Sequence, residues 1–514
     1  MRYLAPFLAF SLLGTACSLD YTPENAITYT NAFSSESELN TTTASIHFKL
    51  NNCMETTSIL MQAGLLADET VSANELREWN PRTIISGNYD WQPIYDVIFE
   101  SNLLLENIHR TQGLSEERRA YHVGQAQFGL GFGYFLLSRA YGEAVITDNT
   151  STIRQYSLSS MLSVIDKAIS HAEEAYKILP THDKLRNLSG AVITSKQYAS
   201  KGNSAALLAH LYAWKGSMID LYHLSGANAQ EAYNKSIEYA TILINGQAGN
   251  YSLVSSPEEL CKLLSNPAAD NPEEIFSLVY DKTRSNTAVT HNEVAQNFCT
   301  WPVDKTKTQG DIGNASFRLL ASTVKALYPD AGDTRRTSFF YEADQVHEVN
   351  GVDYAVPYKF RNAIFENDAS SSTGLSFISV DANYVYWRLA DIYLLRAECY
   401  AKLGQEGPAK ADLNKIRERA GATAYPAAGE SDLKEAIFHE REREFVIEND
   451  SRYYDILRNG YYATKLRGKF QLLTPSEIAG GALCLPIPQS SFQDKTGKII
   501  NGSILQRKYW VVYF

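Results

Sequence analysis

The sequence predicts a mainly α fold, a tetratricopeptide-type helical repeat scaffold carrying long loop-rich insertions. Three observations predict it. Leu389, Ile392, Leu395, Cys399 and Leu403 recur at steps of three and four and so share one helix face. Gly404 and Gly407-Pro408 then stop that helix and start a second, in which Ala409, Leu413, Ile416 and Ala420 repeat the period before Gly421 ends it. Helix, tight turn and antiparallel helix make one repeat unit, and similar pairs recur upstream. Between about Tyr251 and Asn383, by contrast, helical period is nearly lost.

The chain opens with Met1-Arg2, an apolar run from Tyr3 to Leu13, and Leu13-Gly14-Thr15-Ala16-Cys17. The run is too short to span a bilayer and reads as a signal peptide over residues 1–16. Cys17 stands where a lipoprotein is processed and acylated. Gly14 replaces the usual Leu three positions before it, which leaves an ordinary cleaved signal as the alternative. Residues 17–35 are polar, Pro-containing and aperiodic, a tether linker.

An N-terminal helical region is expected over residues 36–250. Its helices are read at Glu36 to about Leu66, Trp91 to Ile108, Glu116 to Tyr141, Ser159 to Leu179, Lys201 to Met218 and Asn228 to Ile244. Residues 67–90 read as a polar loop holding Trp79, Asn80 and Tyr89. The third helix contains Gly129, Gly131 and Gly133. Three glycines weaken a helix by about 1 kcal/mol each relative to alanine, or admit a neighbour unusually close. Residues 251–383 form the insertion, rich in Asn, Ser, Thr, Pro and aromatics. A loop-rich segment of that length is more often functional than idle. Residues 384–514 hold the repeat hairpin, a charged helix from Glu435 to Asp455, and an irregular tail through Leu485-Pro-Ile-Pro488.

The charged helix carries Glu440, Glu444 and Glu448 four apart on one side, with Arg441, Arg443, Arg452 and Asp455 around them. Such a series is either catalytic or a set of Arg–carboxylate pairs pinning the helix to its neighbours. A base within one turn of each acid favours the second reading.

Composition narrows the function classes. A formal net charge of −11 argues against a nucleic-acid groove, which needs a basic face. Of 6 cysteines, those other than Cys17 are widely spaced, so neither a disulfide framework nor a structural zinc site is expected. No nucleophile, base and orienter can be assembled, no H-E-x-x-H or G-x-S-x-G occurs, and no cofactor is called for. The 32 tyrosines suit wet, polar ligand surfaces as well as helix-repeat cores.

The C-terminal third resembles a known family. Arg388, Ala390, Asp391, Leu394, Leu395, Ala397 and Glu398 are followed at fixed spacing by Leu413, Asn414, Ile416, Arg417, Arg419, Ala420 and Gly421. Glu440, Arg441, Glu444, Phe445, Glu448, Arg452, Asp455, Arg458 and Gly460 complete the pattern. Together they are similar to the signature of the SusD/RagB family of outer-membrane nutrient-binding lipoproteins. The resemblance implies a lipid-anchored, cell-surface protein. It would bind a glycan, or less often a peptide, beside a SusC-like TonB-dependent transporter. One departure is the run of glycines where relatives carry an Arg-Ala pair.

A non-catalytic sugar site needs flat aromatic faces for the C–H side of the ring and amides for its hydroxyls. Two loops combine these. Trp79, Asn80 and Tyr89 form one set, with Phe298 and Trp301 facing them; the alternative is that these aromatics anchor loops into the core. Two other function classes stay open: an exported glycoside hydrolase, and a scaffold that binds protein alone.

Overall fold

The structure is a computed structural model that describes residues 32–56, 58–70, 74–87, 89–151, 154–279, 292–298, 315–370, 374–449 and 451–514. Ten helices carry the frame: α1 Glu36–Thr56, α2 Gln92–Asn107, α3 Glu116–Ala140, α4 Met161–Ile178, α5 Lys201–Tyr222, α6 Ala229–Ile244, α7 Leu389–Lys402, α8 Glu406–Ala420, α9 Leu433–Phe445 and α10 Ser451–Arg458. Helices α1 to α8 stack as successive neighbours, each packed on the one before it, and α9 leans on α7. The stack continues unbroken from α6 to α7 although residues 245–388 separate them in sequence.

Local chemistry sets the helix boundaries. Ser115, Ser160, Ser200 and Asn228 each cap a first turn by accepting a backbone N–H with the side chain. Gly421, at φ 73°, ends α8 in the left-handed conformation that glycine adopts without strain. The glycines of α3 settle the choice left open by the sequence, because they lie where neighbours press closest. A Cβ on Gly129 would stand 2.5 Å from Ser101 Oγ, one on Gly131 3.1 Å from the Ala172 backbone nitrogen, and one on Gly133 2.9 Å from Ile98 Cγ1. They let α2 and α4 approach α3 from opposite sides.

The excursion between α6 and α7 has more regular structure than its sequence suggests. Strands Glu274–Leu278 and Tyr384–Arg388 pair antiparallel at its two ends and are buried along their whole length. Within it, Phe317–Leu320 and Val352–Pro357 form the middle of a small sheet whose edge strand is Glu69–Thr70. Ala363–Asn367 and Leu375–Val380 make a hairpin, and short helices span Pro257–Leu264, Ala321–Leu327 and Arg335–Phe339. The polar loop read between residues 67 and 90 likewise contains helices Asn74–Arg77 and Pro81–Ser86.

The charged helix is not continuous. It breaks after Phe445, and Ile447 takes a left-handed φ of 65°. The carbonyls of Glu444 and Val446 turn out of helical register to accept from the Lys359 ammonium, at 2.8 and 3.2 Å. Lys359 lies far upstream, which is why nothing local marked the break.

Candidate functional site

The carboxylate series proves to be a buried structural network. Glu440, Glu444 and Glu448 are at most 1% exposed. Arg388 holds Glu448 in a two-pronged pair at 2.5 and 2.9 Å and reaches Glu273 at 2.5 Å and Glu444 at 2.7 Å. Arg335 spans Asp333, Glu440 and Glu444, while Arg441 joins Asp391 to Asp455. Burial pushes the Glu440 carboxyl up, but the guanidiniums of Arg335, Arg443 and Arg417 outweigh it and hold it at about 2. Buried and ion-paired in this way, these carboxylates serve as structural counter-ions of the arginines. The partners come mostly from other elements, not from within one turn of the same helix.

The aromatic residues predicted for a ligand face separate into core and surface. Trp79 is fully buried. Its positive φ of 60° turns the ring inward to stack on Phe470 at 4.6 Å, and its indole N–H donates to the Ala482 carbonyl at 2.8 Å. Phe298 is 1% exposed and packs on Phe317. Neither presents a face to solvent, so both anchor loops, and the expectation that they stack on a ligand is corrected. Asn80 and Tyr89 remain half-buried at the two ends of helix Pro81–Ser86; Asn80 caps it by accepting the Arg82 N–H. Trp301 and Cys17 lie outside the described residues.

A cleft that sequence reasoning did not single out has the chemistry of a binding site. It encloses about 580 Å³ between the α4–α5 connection and the first part of the excursion, lined among others by His182, Lys196, Asp270, Asn271, Glu274 and Asn383. The α4–α5 connection is held in shape by Asn187, whose Oδ1 accepts from the Ser189 and Ala191 backbone N–H groups. Asn271 Oδ1 is taken by the Glu273 N–H at 3.1 Å, but its Nδ2 is buried without a partner among the described residues. Asn383 Oδ1 is likewise unpartnered. Burial pushes the Glu274 carboxyl up and the His182 imidazole down.

The cleft is thus lined by two amides that are not fully satisfied among the described residues, by mixed charges and by Tyr251. That set suits a neutral ligand rich in hydroxyls, since each hydroxyl both donates and accepts. The hint in the sequence was the stretch Asn266-Pro-Ala-Ala-Asp-Asn-Pro272, amide-rich but without aromatics. Among the described residues no group of three or more His, Cys, Asp or Glu is placed to hold a metal ion.

Comparisons with known proteins match both halves of the chain. Residues 290–474 match the family model described as "SusD family", and residues 19–212 match one described as "Starch-binding associating with outer membrane". A SusD-like protein of Formosa agariphila is 23% identical over 441 residues, 78% of this chain and 76% of that one. A SusD homolog from Bacteroides thetaiotaomicron superposes with a TM-score of 0.72 at 20% identity, covering 93% of this chain and 98% of its own. NanU of B. fragilis gives 0.68 at 21% identity, over 94% and 99% of the two chains. A laminarin-binding SusD-like protein gives 0.66 at 21%, over 92% and 99%.

Proposed function

Because the chain belongs to the SusD/RagB family, we propose that it captures a glycan at the cell surface without cleaving it and passes it to a TonB-dependent outer-membrane transporter. Cys17, acylated after removal of residues 1–16, is the anchor in this reading. The description of the matched N-terminal model and the laminarin-binding relative support a carbohydrate ligand.

The observation that carries the reading is the polar cleft with its unmet Asn271 donor and Asn383 acceptor. An amide left unpaired costs about 1–3 kcal/mol, and because Asn271 and Asn383 both line the cleft, a turn of either side chain toward a bound hydroxyl would recover that cost. Asn80 and Tyr89 remain a second contact patch in the proposal, and Trp301 remains a proposed contact that lies outside the described residues. Titration calorimetry against a panel of neutral polysaccharides and peptides tests it. Binding of one glycan, weakened about tenfold or more by Asn271→Ala or Asn383→Ala, is the expected result. Binding confined to peptides moves the assignment to a peptide carrier. Release of shorter sugars on prolonged incubation overturns the non-catalytic assignment.

A further inference from the structure

A second cavity, of about 310 Å³, lies between the start of α4 and the C-terminal segment. Arg507 lines it and is 8% exposed. Its side chain runs in a slot made by two glycines at positive φ. A Cβ on Gly481 would stand 2.6 Å from Arg507 Cδ, and one on Gly142 3.1 Å from Arg507 Nη2. Nε and Nη2 are buried and make no hydrogen bond among the described residues. These two nitrogens form one edge of the guanidinium, the edge that pairs two-pronged with a carboxylate, and the half-exposed Glu143 lies over it.

The charge nearest this edge is informative. Glu143 Oε2 lies 3.5 Å from Arg507 Nε, an ion-pair distance without a hydrogen bond, and the Glu143 side chain is 47% exposed. It screens the edge without satisfying it, as a displaceable stand-in would. Lys508, on the exposed side of the same cavity, adds a second cation. The first turn of α4 closes the far wall. Ser160 Oγ accepts the Ser163 N–H, and helix geometry leaves the Met161 and Leu162 N–H groups without intrahelical partners. Met161, Leu162, Leu224 and Ala479 supply apolar walls.

We propose that this cavity binds a monocarboxylate on a small ring-sized ligand, the acid group of a uronic-acid-type sugar, with Arg507 as its two-pronged partner. Two cations against one carboxylate leave a single positive charge, which matches a monoanion better than a phosphate dianion. The site is separate from the polar cleft and does not depend on it, so loss of either leaves the other standing.

The test is calorimetry on the full processed chain at fixed ionic strength, with glucuronate, glucose, acetate and inorganic phosphate as probes. Glucuronate is expected to bind and glucose not. Glu143→Gln should tighten glucuronate about threefold or more, because it removes the competing carboxylate, and Arg507→Gln should abolish binding. Should Arg507→Gln fail to fold, the Glu143→Gln result decides alone. Acetate binding as tightly as glucuronate supports the carboxylate pocket and assigns it to free organic acids. Equal affinity for glucose and glucuronate, tighter binding of phosphate, or no change in Glu143→Gln overturns the proposal.

Discussion

Arg388 touches three carboxylates from two parts of the chain, so the value of each acid in the network depends on who is left when one partner goes. Glu444→Gln leaves Arg388, Arg419 and Arg335 under-compensated in a dry interior. It should lower stability by about 3–5 kcal/mol in urea unfolding, whereas Glu406→Ala, which cuts an exposed pair with Lys410, should cost less than about 1 kcal/mol. Trp79→Ala should cost about 3–5 kcal/mol through the cavity left beside Phe470, with any loss of ligand affinity tracking the folded fraction. These two sites mark how far single residues could be read. Three acids spaced by four were legible as an ion-pair series because the spacing is local. Arg335 and Lys359 as partners were not, since they arrive from more than eighty residues away in sequence. Trp79, set among Asn, Glu and Arg, looked exposed, and the positive φ that turns it inward leaves no mark on composition.

Among the elements, α3 is the most sensitive to added volume. Gly129→Ala gains about 1 kcal/mol in helix propensity but drives a methyl group into Ser101 and Ile46. Overpacking of this kind costs about 1–3 kcal/mol, so the variant should melt at or below the parent temperature in a calorimetric scan, against the propensity trend. The same balance holds for Gly133 against Ile98. The frame helices were legible because an apolar stripe repeats within a few turns. The end of α8 could be read from Gly421, whereas the Ser and Asn caps of α4 and α6 emerge only from the structure. The paired strands Glu274–Leu278 and Tyr384–Arg388 were not legible as a pair. One lies inside the aperiodic insertion and the other just before the apolar stripe that begins at Leu389, and their register joins residues more than a hundred positions apart.

For the molecule as a whole, protons should destabilise the fold in two steps. Burial lowers His47 and His171 from 6.5 to about 4. Arginine and lysine partners outweigh burial and hold Glu398 at about 2, while arginines alone do so for Glu440. In every case the unfolded chain binds the proton more readily, so stability is complete above the unfolded value and falls as pH falls. The histidine contribution should fade between about pH 6.5 and 4, and the carboxylate contribution between about 4.5 and 2. Melting temperatures taken across that range at constant salt should show both declines. A flat profile from pH 6.5 to 4 would mean the buried imidazoles carry no linkage. The polar cleft belongs to this scale as well. It is assembled from the α4–α5 connection, the segment around Asn271 and Asn383, and no single stretch of sequence carries enough of it to be recognised.

The excursion from 245 to 388 leaves and rejoins the frame through one doorway, since α6 and α7 are neighbours and strands 274–278 and 384–388 zip together there. Such a segment has the layout of a cassette set on a helical chassis. Exchanging it would carry one obligation. Arg335, Lys359 and Arg388 ride on the cassette, yet their counter-ions Glu440, Glu444 and Glu448 sit on the chassis. A graft that omits those three cations would strand negative charge in the interior, and a viable chimera must bring them along or neutralise their partners.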